Sequence, residues 1–299
     1  FQLSRQSDGS SRRCMTESNS ETSSDRTHVP QLLVSVRSAD EAIAASAGGC
    51  QILDVKEPSF GSLGKANNNV IEQVLQIGLT AGIPVSAALG EVTDYSPMPR
   101  SENLNEGLPE SLSQLSFTKL GLAGLSRDSK WSARWQDTMS SLTESFSEDS
   151  DSSVHRWVAV IYADWEQAAA PSADAIVDCV LSSRLSSDTQ VAGVLVDTWS
   201  KKSGRLLDAL EVGHLRDLAA AIQRSGRFFA VAGRLTSSML PELNSIQPDV
   251  VAIRSAACRN EDRTSTVDEA AVREFRASVD RAFSSPTTEQ TLSIGASRA

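Results

Sequence analysis

The chain is poor in cysteine and histidine and has no long apolar run. Its four cysteines, Cys14, Cys50, Cys179 and Cys258, are scattered over 299 residues, and none belongs to a CxxC pair. That distribution argues against a disulfide framework or a thiolate zinc site, and buried reduced thiols fit a cytoplasmic enzyme. The three histidines, His28, His155 and His214, lack metal-ligand spacing, so no metal is expected. No stretch approaches the ~20 apolar residues of a membrane span, and the N-terminal segment lacks the apolar core of a signal peptide. Cations are also in short supply: 28 Lys and Arg stand against 38 Asp and Glu, for a formal charge of −10. A broad nucleic-acid or anionic-membrane surface is therefore not expected. Phosphate can still bind, provided the cations gather in one place.

The two ends read differently from the middle. Residues 1–29 are rich in Ser, Thr, Asp, Glu and Arg and nearly lack large apolar side chains. Such a segment buries too little surface to offset its ordering entropy, and it reads as a disordered tail. Met15 lies inside it, so the reading allows a start later than Phe1. Residues 286–299 read as a flexible C-terminal tail, leaving 30–285 as one catalytic domain.

Within that domain a short apolar run is followed repeatedly by a helical stretch. The runs are QLLVSVR (31–37), QILDVKEP (51–58), IPVSAALGEV (83–92), FTKLGLAGL (117–125), RWVAVIYAD (156–164), VAGVLVDTW (191–199), RFFAVAGRL (227–235) and PDVVAIRSAAC (248–258). Each has strand length, and most are rich in β-branched residues. Ser38 and Glu41 form a capping box before EAIAAS. NNNVIEQVLQIGL, SADAIVDCVLSS and LLDALEVGHLRDLAAAIQ carry apolar residues at helical spacing, and VDEAAVREFRASVDRAF closes the series. Eight strands alternating with eight helices give an α/β fold, a single (β/α)8 TIM barrel. An open doubly wound sheet is the alternative, but no GxGxxG turn follows Val36. The long stretches Thr93–Gly107 and Ser145–Ser153, the second an acidic serine run, read as solvated loops.

Charges interrupt these strands at one end. In QILDVKEP, Leu53 and Val55 share one face while Asp54 and Lys56 share the other, at the C-terminal end where active sites of this fold sit. Lys119 shares a face with Phe117 and Gly121, Asp164 ends the fifth run, and Asp197 ends the sixth with Lys201 four residues on. Structural salt bridges account for any one of them. Six at the same end of one barrel would be costly scaffolding, because buried charge loses solvation. A desolvated lysine crowded by another cation becomes a nucleophilic amine able to form an imine with an aldehyde. Lys56, Lys119 and Lys201 are placed to crowd one another, with the aspartates to move protons. Spacing does not choose the nucleophile among them. A phosphate site is expected after strands seven and eight, from Gly233 with Arg234 and from Arg254 with Ser255. The turn GSLG (61–64) adds flexible backbone directly behind Lys56.

These residues carry a resemblance. LLVSVRSADEA, ILDVKEPSFGSLG, PVSAALGEV, TKLGLAGL, YADW, VDTWSK, VAGRL and PDVVAIRSAACRNEDR occur in order from Gln31 to Arg263. Together they resemble the (5-formylfuran-3-yl)methyl phosphate synthase family of methanofuran biosynthesis. The resemblance implies a carbon–oxygen lyase that condenses two molecules of glyceraldehyde 3-phosphate into 4-(hydroxymethyl)-2-furancarboxaldehyde phosphate, without metal or organic cofactor. It implies that Lys56 is the Schiff-base residue and Lys119 the proton acceptor, and that Asp54, Asp197 and Lys201 match further active-site positions. The chain departs from the family pattern in several places. Glu57 stands where asparagine is usual, Lys65 is an extra residue, KSGR (202–205) replaces DGK and a small residue, and Arg234 and Ser255 occupy positions of serine and glycine. A class I aldolase on another phosphorylated aldehyde, or a barrel that only binds a phosphorylated metabolite, are the alternatives. The expected partner is a small phosphorylated aldehyde, with neither nucleic acid nor membrane, and self-association through the outer helices is left open.

Overall fold

The computed structural model describes residues 28–95, 110–146, 154–182, 189–200 and 204–284. Eight strands, β1 (Gln31–Val36), β2 (Ile52–Val55), β3 (Val85–Glu91), β4 (Phe117–Gly121), β5 (His155–Tyr162), β6 (Thr189–Asp197), β7 (Phe228–Val231) and β8 (Val250–Ile253), pair in parallel in chain order. β8 returns to β1, closing the barrel. The expected fold class is thus the observed one. The tails, the stretch 96–107 and the acidic run 147–153 lie outside the described residues, apart from His28 and Val29.

Alternation along the strands separates two apolar layers. Leu32, Val34 and Val36 of β1, Leu53 and Val55 of β2, and Trp157, Ala159 and Ile161 of β5 pack outward against helices. Leu33, Ile52, Val158, Val160, Tyr162 and Leu195 fill the barrel interior. Asp54, between Leu53 and Val55, therefore projects inward.

The helices are α1 (Ala39–Ala47), α2 (Asn68–Ala81), α3 (Trp131–Phe146), α4 (Ala173–Ser182), α5 (Leu206–Ala209), α6 (Val212–Arg224), α7 (Leu240–Asn244) and α8 (Glu269–Ser284). α2 shows how the sequence specifies them. Asn67 caps its start by accepting from the Asn69 amide at 2.9 Å. Ile71, Val74, Leu75 and Gly78 form its buried stripe, and Gly82 ends it in the left-handed conformation at φ 66°. Burying each large apolar side chain of such a stripe contributes ~1.5–3 kcal/mol. Among the described residues no helix is long and apolar enough to cross a membrane.

Four local expectations change. The β3–β4 connection has no α-helix among the described residues; only 3₁₀ turns at Val92–Asp94 and Glu110–Gln114 occur there. The stretch LLDALEVGHLRDLAAAIQ breaks at Leu210, where φ is −140°. The Leu206 amide is tied to the Gly233 carbonyl at 2.9 Å, so the first turn follows the β7 loop and the rest packs as a separate helix. The capping box at Ser38 is half made: the Ser38 hydroxyl accepts from the Glu41 amide, but the Glu41 carboxylate accepts from the Arg37 amide instead. The turn GSLG is buried at Ser62 and Leu63 rather than free. The Glu57 amide donates to the Gly64 carbonyl at 2.8 Å, and a side chain on Gly64 would strike Glu57 and Phe60.

Candidate active site

Register places the innermost charged group. Asp54 pairs with Ser35 of β1 on one side and with Ser86 of β3 on the other. All three side chains turn into the barrel at one level. The Ser35 hydroxyl donates to Asp54 Oδ2 at 3.0 Å, and the Ser86 hydroxyl donates to Asp54 Oδ1 at 2.7 Å. Lys119, from β4, donates its Nζ to Asp54 Oδ1 and, at 3.3 Å, to Ser86 Oγ. Lys119 and Asp54 are each 2% exposed, so this ion pair is effectively dry. Burial raises the Asp54 carboxyl, but the Lys119 and Lys56 ammoniums and the hydrogen bonds outweigh it and hold it below its ordinary value. Burial pushes Lys119 below the usual lysine range despite the attraction of Asp54, and the nearby Lys56 cation acts in the same direction. Beneath the pair the interior is apolar, with Phe117 and Phe228 in an edge-to-face contact at 5.2 Å.

Lys56 leaves β2 at its C-terminal end and enters the mouth of the barrel. Its Nζ lies 4.0 Å from Asp197 Oδ2, and its side chain is 12% exposed. Asp197 ends β6. Its Oδ1 accepts from the Thr198 amide at 2.7 Å, and its Oδ2 accepts from the Ser62 hydroxyl at 3.0 Å. Asp54, Lys56, Lys119 and Asp197 line one open cleft, together with Gly233, Arg234, Arg254 and Ser255. Asp164 takes another position: its two carboxylate oxygens accept from the Trp199 and Ser200 amides at 2.7 and 2.8 Å, shaping the turn after β6. Lys201 lies outside the described residues.

After β7 the backbone is left-handed at two successive positions, Gly233 at φ 103° and Arg234 at φ 53°. A non-glycine residue at such an angle is strained, a condition common at ligand-binding turns. A Cβ on Gly233 would meet Thr198 Cγ2 at 3.0 Å, so the β6 and β7 loops approach closely here.

Arg254, expected to hold phosphate, is committed elsewhere. Its Nη1 and Nη2 grip the two Glu41 oxygens, and the remaining donors reach the carbonyls of Ser35, Arg263 and Ser265 at 2.9–3.0 Å. All five guanidinium N–H groups are thereby used. Arg254 lines the cleft as a buried strut, with no donor left for a ligand. The physical reason is that Glu41, turned away from Ser38, would otherwise be an unpaired buried carboxylate.

Several residues of the site were not legible from strand-end charges. Ser35 and Ser86 show only as small polar residues at inward positions of apolar strands. Arg263 also lines the cleft, from the loop after β8. Near the mouth, Tyr162 of β5 donates its hydroxyl to Glu91 Oε1, and the Ala123 amide donates to Glu91 Oε2 at 2.9 Å. Glu91 turns inward because β3 bulges between Ala88 and Glu91 and Gly90 has φ 90°. Gly121 leaves the space, since a Cβ there would strike both Glu91 and Tyr162. Burial raises the Glu91 carboxyl above its ordinary value. Among the described residues no group of three or more His, Cys, Asp or Glu could hold a metal ion.

The profile of the family described as 4-HFC-P synthase matches residues 32–276. The chain is 32% identical over 250 residues to the (5-formylfuran-3-yl)methyl phosphate synthase of Methanothermobacter thermautotrophicus, covering 83% of this chain and 98% of that one. It is 30% identical over 232 residues to the protein of the same name from Methanococcus maripaludis, covering 78% and 91%. Among solved structures, phosphoribosyl anthranilate isomerase from Thermotoga maritima superposes with a TM-score of 0.53 at 10% identity, over 86% of this chain and 100% of that one. That last likeness concerns the barrel alone.

Proposed function

The chain belongs to the 4-HFC-P synthase family, and from that premise we propose that it is a cytoplasmic Schiff-base carbon–oxygen lyase of methanofuran-type one-carbon-carrier biosynthesis. It joins two glyceraldehyde 3-phosphates into 4-(hydroxymethyl)-2-furancarboxaldehyde phosphate, with loss of one phosphate and two waters. Residues 30–285 form its catalytic domain, and its partner is the phosphorylated aldehyde.

The observation that supports this most directly is the order of the two amines along the barrel axis. Lys56 reaches the open cleft beside Asp197, while Lys119 sits below it, held on Asp54. The amine that meets an incoming aldehyde is therefore Lys56. It adds to the carbonyl carbon, and loss of water gives the imine. The imine acidifies the neighbouring C–H, and Lys119 takes that proton in its uncharged form, which burial favours, becoming the ammonium that Asp54 holds. The enamine carbon attacks the second aldehyde, making the carbon–carbon bond. Elimination of phosphate, ring closure, dehydration and release of Lys56 complete the sequence. Asp54 orients Lys119, and Asp197 faces the Lys56 nitrogen, where protons are exchanged during imine formation. Lys201 is assigned to the same site from the family resemblance. Asp164 acts by holding the turn that follows Asp197. Gly233, Arg234 and Ser255 hold a substrate phosphate at the left-handed turn and the start of the β8 loop.

Incubation with glyceraldehyde 3-phosphate and borohydride, followed by peptide mapping, tests the reading. A reduced adduct on Lys56 is expected, together with a product absorbing in the near ultraviolet. Turnover with Lys56 unmodified would overturn it.

A further inference from the structure

The condensation brings two phosphate monoesters into one cleft, and the turn after β7 accounts for one of them. We propose that Arg263 forms a second phosphate-monoester subsite, on the β2 side of the mouth, so that the two triose phosphates are held by separate anchors. This inference rests on the substrate reading above.

Three other cations at or beside the mouth are held in ion pairs. Lys119 is on Asp54, and Arg254 is on Glu41. Arg37 is held by both oxygens of Glu57, at 3.0 Å each, and by the Thr264 carbonyl. Arg263 differs. The one hydrogen bond of its guanidinium among the described residues runs from Nη2 to the Pro58 carbonyl at 3.4 Å, the outer limit for such a bond. No carboxylate of the described residues lies within ion-pair distance of it, although its side chain is half-buried and lines the cleft. Burial depresses its basicity, Asp197 attracts it, and Arg254, Arg234 and Arg37 repel it. A half-buried guanidinium with most of its donors unused is costly unless an anion completes it. The planar fork matches a phosphate, which it can grip through two parallel N–H bonds.

The two anchors lean on different loops of the one cleft. Pro58 lies two residues beyond Lys56, so the Arg263 guanidinium leans on the β2 loop. Gly233 and Ser255 stand after β7 and β8. The chain between is fixed: Asp262 accepts from the Thr264 amide at 2.9 Å, the Arg259 amide donates to the Thr266 carbonyl at 3.2 Å, and Cys258 bridges Val267. Arg263 is thus presented by a tied loop, with its guanidinium against the segment that follows Lys56 and within the cleft that Lys56 also lines.

The test compares wild type with Arg263→Ala and Arg263→Lys in borohydride trapping at Lys56. The aldehydes are glyceraldehyde 3-phosphate and glyceraldehyde, which lacks the phosphate. Arg263→Ala should need about tenfold or more of the phosphorylated aldehyde for half-maximal trapping, the loss of one charge-assisted contact. Trapping of glyceraldehyde should be unchanged, and Arg263→Lys should recover part of the difference. Equal demand for glyceraldehyde 3-phosphate in wild type and Arg263→Ala overturns the subsite, as does an equal loss with both aldehydes. If the wild type traps neither aldehyde, the substrate reading fails, and calorimetric titration with inorganic phosphate decides the subsite alone. Weaker phosphate binding in Arg263→Ala upholds it, and identical binding rejects it.

Discussion

Arg254 and Glu41 form a two-pronged ion pair in which both side chains are nearly excluded from solvent. The pair joins the end of β8 to the first turn of α1, and Glu41 also accepts from the Arg37 amide at 2.8 Å. Breaking one side of such a pair leaves the other charge buried and unpaired. Arg254→Ala should therefore destabilise the fold by about 3–5 kcal/mol in chemical denaturation. Replacing both partners with apolar residues should recover much of the loss. If Arg254→Ala is as stable as wild type but binds inorganic phosphate more weakly, the structural role is wrong.

The division of labour between the amines gives a separate prediction. Lys119→Met should retain borohydride trapping at Lys56 while turnover falls by about a hundredfold or more, the usual scale for losing a positioned acid or base. Asp54→Asn should lower turnover as well, because Lys119 loses its counter-ion and its orientation. Loss of trapping in a folded Lys119→Met protein would show that Lys119, not Lys56, carries the aldehyde.

His155 gives stability a dependence on acidity. It lies among Phe146, Trp157 and Thr118, whose hydroxyl is 2.8 Å from Nε2, and burial lowers its pKa to about 4. The unfolded chain takes up this proton near pH 6.5, before the folded one does. The contribution of His155 is therefore constant above that pH, declines as pH falls toward about 4, and levels off below. The full loss is up to ~3 kcal/mol. Denaturation midpoints measured across this window should slope less in His155→Gln than in wild type, and equal slopes would remove His155 as the cause.

Glu91 has the opposite sign. Its carboxyl is raised by burial, so the stability of its neutral form is present below the ordinary glutamate value and is lost as pH rises through the folded one. Glu91→Gln keeps a partner for the Tyr162 hydroxyl and removes that titration. Thermal melts of the variant should lose less stability than wild type between pH 4.5 and neutrality. Gly121→Ala, which drives a methyl into both side chains, should be clearly destabilised at every pH.

The barrel was legible because each strand carries its own signal. RWVAVIYAD alternates, and β5 places Val158, Val160 and Tyr162 inside as that alternation requires. Asp54, Lys56, Lys119 and Asp197 were readable for the same reason: period two turns them inward at a known end. What failed depended on partners far along the chain. Arg254 looked like a phosphate ligand because nothing in VAIRSAAC announces a carboxylate 213 residues earlier. Glu91 was hidden by the bulge that reverses its expected face. Arg263 lay in a loop with no periodic pattern to give its side chain a direction. The described residues of the β3–β4 connection carry only 3₁₀ turns, where the repeat rather than the local residues predicts a helix.

The Ser62 hydroxyl also donates to the Thr198 carbonyl at 3.0 Å, so one side chain stitches the segment behind β2 to the end of β6, strands that share no ladder. The Leu63 carbonyl, next to it, accepts from the Gly90 amide of β3 at 3.0 Å. Three staves of the ring are thereby bolted together at the rim by a single short segment. Amide protons of Glu57, Gly90 and Thr198 should then exchange with solvent through one shared opening. Lengthening that segment would slacken the nucleophile and its facing carboxylate together, leaving the ring of strands below intact.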